Sequence, residues 1–218
     1  MSNVMFPAGT RIFIQDAISA EQNITAISKE NPGVVTYEGT DPSNDDYIAI
    51  QNVNGMTLLD DALVKVANVS SGDKTFEMKG QDTTGYDDFV SGVMAPVSIG
   101  TELKIATGLS MTGGEPKYAT YQFLWDLMER QAPTGFSAIS VSVPSIFDPE
   151  DAGLIEAIKA TDTQSKRAIK ILFKNGLELL FFGYIAAPGL PNIEDMNSAI
   201  TTPIGISLST RPRYILPA

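Results

Sequence analysis

Ile169-Lys170-Ile171-Leu172-Phe173 and Leu177-Glu178-Leu179-Leu180-Phe181-Phe182 flank Asn175-Gly176, and this arrangement restricts the chain's folding more than any other stretch. Asn-Gly accepts the backbone conformations a tight β-turn needs, and the flanking runs are branched, leucine-rich and aromatic, so the segment reads as a β-hairpin. Upstream, Asp148-Pro149-Glu150-Asp151 carries the marks of a helix start. Asp148 offers a side-chain oxygen at the N-cap, Pro149 sits at the first helical position, and acids fill the first turn. Leu154, Ile155 and Ile158 are expected on one face of that helix, and the polar stretch Thr161 to Gln164 is expected to end it. A capped helix, a hairpin and a closing strand point to assembly rather than catalysis.

The rest of the chain is also rich in strand signals. Thr10 to Gln15 alternates, with Ile12 and Ile14 on one face and Arg11, Phe13 and Gln15 on the other. From about Asn23 short runs follow one another: Ile24–Ile27, Val34–Tyr37, Tyr47–Ile50, Leu63–Val66 and Thr75–Met78. Between them lie Asn31-Pro32-Gly33, Asp41-Pro42-Ser43-Asn44, Asn54-Gly55 and Ser71-Gly72-Asp73, all turn chemistry. Such spacing suggests a small β-barrel or sandwich. Residues 23–96 therefore read as an inserted β domain, entered through Ser19 to Gln22 and left through Gly92 to Pro96. The surrounding scaffold is 1–22 together with 97–218.

Within that scaffold, Glu102 to Ala106 resumes β-like alternation and Met111 to Pro116 forms a loop. Tyr118 to Gln131 supports two readings. Phe123, Leu124, Leu127 and Met128 have helical spacing with no glycine or proline nearby, whereas Tyr118 to Phe123 would serve equally as a strand. Phe136 to Val143 reads as a half-exposed strand. Ile204, Ile206 and Leu208 alternate with small residues in the last strand, Ile200 to Ser209, where Pro203 implies an edge or a strand start.

Composition removes several classes of chemistry. The chain has neither cysteine nor histidine, which excludes disulfides, thiolate metal sites, thiol nucleophiles and histidine-based triads. Its 43% hydrophobic residues are ordinary for a globular protein. Met1 to Pro7 lacks the basic and apolar segments of a secretory signal, so synthesis and initial folding are expected in the cytosol. The most apolar run, Leu177 to Ala187, is shorter than the roughly 20 residues of a spanning helix, and no membrane association is expected. With 26 acids against 15 bases the net charge is −11, which argues against a protein that grips duplex DNA through a basic stripe. The charge is uneven: residues 23–96 hold 12 acids and 4 bases, leaving 14 and 11 for the remainder.

Three motifs invite sharper readings. Asp41, Asn44, Asp45, Asp46, Asp60 and Asp61 suggest calcium, yet they lack the spacing, glycine and terminal glutamate of an EF-hand loop, so solvated turns are the expectation. Gly113-Gly114-Glu115-Pro116-Lys117 has neither the spacing nor the Ser/Thr of a phosphate-binding loop. Glu150 and Asp151 are explained by the helix dipole without a glycosidase. No cofactor, metal or catalytic residue is expected.

The scaffold resembles the major tail tube protein of lambda-like long-tailed bacteriophages. The residues that carry the likeness are Phe147-Asp148-Pro149, the strand Ala168 to Phe173, the turn Lys174-Asn175-Gly176, the return strand ending Phe182-Gly183-Tyr184-Ile185, and Ala199 to Ser209 leading into Arg211-Pro212. Ser137 to Val143 matches the strand before the helix. The inserted segment resembles a small β module of phage structural proteins, related to a half-domain of ubiquitin-activating enzymes. That likeness rests on Ile24-Thr25, Asn31 to Thr36, Val53 to Thr57 and Asp82 to Tyr86.

The resemblance implies a mainly β fold: a β-sandwich flanked by one α-helix, carrying an inserted small β-barrel. It implies hexameric rings stacked into a tail tube, with a tape measure protein and tail tip and terminator proteins as partners. Genomic DNA would pass through the lumen without specific binding, in a virion tail assembled in the host cytoplasm. The family's long loop to the neighbouring ring corresponds to about Leu124 to Gly135, which makes Leu124, Trp125, Asp126, Met128, Glu129 and Arg130 the candidate inter-ring and inter-subunit contacts. The bland alternative places Trp125, Leu127 and Met128 on the buried side of an amphipathic helix. Two other functions remain open from sequence: a surface or glycan binding module, and the tube subunit of a contractile secretion system. An acidic lumen would need scaffold acids such as Glu102, Glu115 and Glu178.

Overall fold

Alternation along the central hairpin decides the layering. The structure is a computed structural model that describes residues 8–193 and 198–217; Met1 to Pro7 lies outside the described residues. The chain runs β1 (Arg11–Ile14), β2 (Ala17–Ile18), β3 (Gln22–Ile27), β4 (Val34–Tyr37), β5 (Tyr47–Asn54), β6 (Ala62–Ser70), β7 (Thr75–Met78), β8 (Ser91–Ser98) and β9 (Thr101–Leu103). It continues through β10 (Ser110–Thr112), β11 (Pro116–Tyr121), β12 (Arg130–Phe136), β13 (Ser140–Ile146), α1 (Ala152–Thr163), β14 (Lys166–Leu172), β15 (Glu178–Ala186), β16 (Thr201–Leu208) and β17 (Arg213–Ile215). Odd-numbered Ile169, Ile171, Leu179, Phe181 and Ile185 enter one core with α1, β13 and β16. Even-numbered Ala168, Leu180 and Phe182 enter another, formed with Ala49, Leu63, Ala95 and Val97. A strand buried on both faces reads as a continuous apolar run, and this is why Leu177 to Phe182 is so hydrophobic.

The first sheet has the order β10-β13-β16-β15-β14-β1-β9, with β17 added against β15. In the second, β8, β3, β4, β7, β6 and β5 follow one another and β5 pairs back onto β8, closing a six-stranded barrel that β2 extends. Its interior is filled by Ile24, Val35, Tyr37, Ile48, Ile50, Val64, Phe76 and Met94, among others. The five short runs expected between residues 24 and 78 all lie in barrel strands. Closure satisfies the strand edges that a flat sheet of this size would expose.

The barrel is packed on the sheet, not merely tethered to it. Outward residues of β5, β6 and β8 meet Phe13, Ala168, Leu180, Phe182 and Ile215, and each large side chain removed from water there contributes on the order of 1.5–3 kcal/mol. A polar patch sits at the rim of this contact. Glu178 accepts hydrogen bonds from Lys65 Nζ at 2.8 Å and Tyr47 Oη at 2.9 Å. The Lys170 ammonium lies 4.7 Å and 4.8 Å from the ring centroids of Phe13 and Tyr47, and burial pushes its pKa down. Burial and the neighbouring Glu178 charge push the Tyr47 phenol up. Lys166 bonds Asp61, and Arg213 bonds Gln81 and the Leu58 carbonyl, so cations of the sheet hold the barrel at several points.

Two local expectations are corrected, the ends of the helix and the run Phe136 to Val143. The helix N-cap is Asp151, not Asp148: Asp151 Oδ1 accepts from Leu154 N at 3.0 Å and Oδ2 from Lys104 N at 3.3 Å. Asp148 and Pro149 form the preceding turn, in which Asp148 Oδ1 accepts from Glu150 N. Asp151 is thereby tied to β9, on which Gly153 also presses: a Cβ there would stand 2.5 Å from Leu103 Cα. The helix therefore buries Leu154, Ala157 and Ala160, while Ile155 is exposed. Thr161 to Thr163 belong to the helix, and Gln164 closes it in left-handed conformation.

The hairpin turn spans the three residues Lys174-Asn175-Gly176, as the sequence places it. Phe173 N donates to Leu177 O and Gly176 N to Phe173 O, and at the turn only Gly176 has positive φ, at 84°; this is a type I turn closed by a glycine in the left-handed region. Finally, the run Phe136 to Val143 breaks at residues 137–139 into the end of β12 and the start of β13. Pro203 lies opposite Pro144 between β13 and β16, just past the last β15–β16 pair at Gly205, so it occupies a local edge as expected.

Replacing Glu178 with Gln removes the only carboxylate bonded to both Lys65 and Tyr47 among the described residues. Breaking a largely buried pair is costly, and a loss of about 3 kcal/mol is expected in chemical denaturation. The double variant Lys65→Met/Glu178→Leu is expected to recover part of it, since Lys65 is then not left unpaired, while Lys170 keeps only the Phe13 and Tyr47 rings.

Candidate assembly surface

β11 and β12 form a two-stranded sheet that joins neither of the others. Their register runs from Pro116↔Phe136 to Tyr121↔Arg130, with an irregularity at Lys117/Tyr118. Every residue of β11 is exposed, and in β12 only Ala132 is half-buried. An isolated hairpin is marginal in water, so its base must be held. Ser137 N donates to Glu115 O at 2.8 Å and Glu115 N to Ser137 Oγ at 3.0 Å, while the Arg211 guanidinium lies 3.7 Å from the Phe136 ring centroid.

The tip is structured. Asp126 N donates to Phe123 O, Gln122 Nε2 donates to Asp126 O, and Asp126 Oδ1 accepts from Met128 N. Asp126 and Arg130 form an ion pair at 2.7 Å. Tyr121, Phe123 and Trp125 make an aromatic ladder, with Phe123 and Trp125 stacked at 5.6 Å and 5°. Arg130 stands 5.9 Å and 6.0 Å from those two rings.

This arrangement settles the open segment. Tyr118 to Gln131 is strand, loop and strand, with no helix, and Trp125, Leu127 and Met128 are not a buried face: Leu124 is 108% exposed, Leu127 98% and Trp125 76%. The structure brings Leu124, Trp125, Asp126, Met128, Glu129 and Arg130 onto one tip. Tyr121, Phe123 and Leu127 belong with them and were not among the candidate contacts. Their signal was in the sequence, since Tyr121, Phe123 and Trp125 recur every second residue, the period of a strand.

The acids weighed for calcium have other occupations. Asp41 pairs with Lys74 and accepts from Tyr37 Oη, which together with burial pushes the Tyr37 phenol up to about 12. Asp45 faces Lys65 and Lys79, Asp46 caps Ser43 N, Asp60 accepts from Val53 N and Asn44 from Val69 N. Among the described residues no group of three or more acids is placed to hold a metal, and no helix is long and apolar enough to cross a membrane. Of the scaffold acids, Glu178 is half-buried against Lys65, and Arg11 grips Glu102 through two bonds that lower its pKa. Glu115 remains exposed.

A protruding hairpin with an ordered apolar tip, on a chain built of sheets, is the equipment of a self-associating protein. The family described as phage tail tube protein, TTP, matches residues 54–217. The chain belongs to the phage tail tube protein family. The match begins at the end of β5 and so takes in the second half of the barrel along with the whole of the helix, the hairpins and the last strands. No curated protein matches the chain. Membership makes it a structural protein of the virion tail that builds a tube by self-association, not an enzyme.

Exposed contact residues are expected to matter for association and hardly for folding. Trp125→Ser and Leu127→Ser should change the unfolding free energy by no more than about 0.5 kcal/mol, the usual range for surface substitutions, while abolishing assembled species in sedimentation velocity.

Proposed function

We propose that this chain is the major tube subunit of a lambda-like long-tailed phage, forming hexameric rings that stack into the conduit through which the genome leaves the virion. The observation that carries the reading is the β11–β12 hairpin, whose tip exposes Leu124, Trp125, Leu127 and Met128 while its own hydrogen bonds fix its shape. Tryptophan and arginine are favoured interface anchors, and here Trp125 and Arg130 lie together. In this reading Leu124, Trp125, Asp126, Met128, Glu129 and Arg130 make the contacts between subunits and between rings. The tube grows around a tape measure protein, between tail tip and terminator proteins, in the host cytoplasm. DNA passes without specific binding.

Residues 23–96 form a domain interrupting the scaffold 1–22 and 97–218, and they lie on the outside of the tube. Support comes from the closed barrel with its own interior and from the 12 acids against 4 bases that this segment carries. A hexameric conduit has room for six such barrels only on its exterior. The barrel nevertheless covers Phe13, Leu180 and Phe182, so it is external without being dispensable. The charge of this segment then says nothing about the lumen wall.

Negative-stain microscopy of the concentrated protein is expected to show rings or hollow tubes with six-fold end views. A strictly monomeric species under all conditions would sink the proposal. Deleting residues 23–96 should yield insoluble protein, because the apolar face of β14 and β15 is then bare; a soluble, tube-forming deletion would show that the barrel is not needed to cover that face.

A further inference from the structure

A groove of about 1010 Å³ lies between the barrel, the base of the β11–β12 hairpin and the segment leading into β17. Lys117, Arg211 and Arg213 line it, and no Asp or Glu does among the described residues. In a chain of net charge −11, three cations without an acid is a pronounced local reversal. Apolar surface accompanies them: Leu58, Phe136 and Tyr214 are all more than half exposed. Beneath this surface Arg213 Nε and Ser209 Oγ are shielded from water and have no hydrogen-bond partner.

We infer that this groove receives the hairpin tip of a second copy of the chain. The inference rests on the reading of that tip as the inter-subunit contact, and adds the surface it meets. The match is twofold. The tip presents bare apolar side chains in Leu124, Leu127 and Met128, and among them the exposed carboxylate of Glu129, Asp126 being already paired with Arg130. The groove offers apolar walls and positive charge, and complementary charge fixes register and partner choice at an interface. Position supports it as well. Tip and groove sit at opposite ends of one hairpin, and six residues of strand at ~3.4 Å each separate them by on the order of 20 Å. No copy can fill its own groove. A contact between two different patches of identical chains is heterologous, and repeats into a closed ring or an open helix.

The absence of native cysteine allows a direct test on the full chain. Leu127→Cys places a thiol on the tip and Ala138→Cys places one in the groove; a disulfide needs Cα atoms within about 7 Å, which excludes a bond inside one copy. Oxidation of the assembled double variant is expected to give a ladder of dimers, trimers and larger species on a denaturing gel, absent from either single variant. Tubes that form without a ladder would overturn the inference and leave the tube reading intact, whereas a chain that never associates would overturn both. Dimers from Leu127→Cys alone would place tip against tip and overturn it too. Loss of the ladder on adding duplex DNA would assign the groove to nucleic acid instead. In cysteine-free protein, Arg211→Glu and Glu129→Arg, both at exposed positions, should each raise the concentration needed for assembly by about tenfold, and the double exchange should restore it; no recovery in the double would overturn the charge match.

Discussion

Burial of β14 and β15 on both faces is the constraint from which the rest of the architecture follows. A strand covered on one side alternates apolar and polar residues, and a chain can build that with a single partner layer. Here Ile169, Ile171, Leu179 and Phe181 need α1, β13 and β16, while Ala168, Leu180 and Phe182 need the barrel wall. Neither layer is optional once the sequence commits to Leu177-Glu178-Leu179-Leu180-Phe181-Phe182. The one polar intruder, Glu178, falls on the barrel side, where Lys65 and Tyr47 meet it. The attachment is polar as well as apolar: Lys166 meets Asp61 on the barrel, and Arg213 meets Gln81 and the Leu58 carbonyl.

Much of this was legible in the residues, and the failures have specific causes. Val34–Tyr37 and Thr75–Met78 read directly as strands because their turns are rich in glycine, proline, asparagine and aspartate. The helix start was misplaced by three residues because Asp148 and Asp151 are equally good caps locally. What marks Asp151 is a tertiary contact, its bond from Lys104 N. Ile155 was assigned to the buried face by periodicity, yet small Ala157 and Ala160 take that place since the helix lies close to the sheet. Nothing local distinguishes a barrel that hangs from a linker from one that shares a core with its host. That information lies in which of Phe13, Leu180 and Phe182 meets which outward residue of β5, β6 and β8.

The tip shows the opposite failure. Helical spacing of Phe123, Leu124, Leu127 and Met128 competed with the period-two spacing of Tyr121, Phe123 and Trp125, and no local rule ranks the two. The structure keeps neither period throughout: β11 ends at Tyr121, opposite Arg130, and Phe123 and Trp125 stack in the loop beyond it. The consequence for association is entropic. A floppy loop must be ordered when it binds, at a cost of roughly 1–2 kcal/mol for each residue fixed. Asp126, through its bonds to Phe123, Gln122, Met128 and Arg130, has already fixed the tip in the free subunit.

Pro144 and Pro203 face each other across β13 and β16. Neither has an N–H, and the observed bonds, Phe147 N to Ile200 O and Leu208 N to Ile139 O, place both prolines at positions whose nitrogens point away from the shared ladder. A slip of one residue would turn a proline nitrogen into that ladder, where a donor is required, and would also reverse which side chains of the strand face the core. The pair thus acts as a ratchet tooth made of two missing hydrogens. It tolerates one phase of pairing and penalises the neighbouring ones, so that every copy of a repeating assembly presents its surfaces in the same alignment.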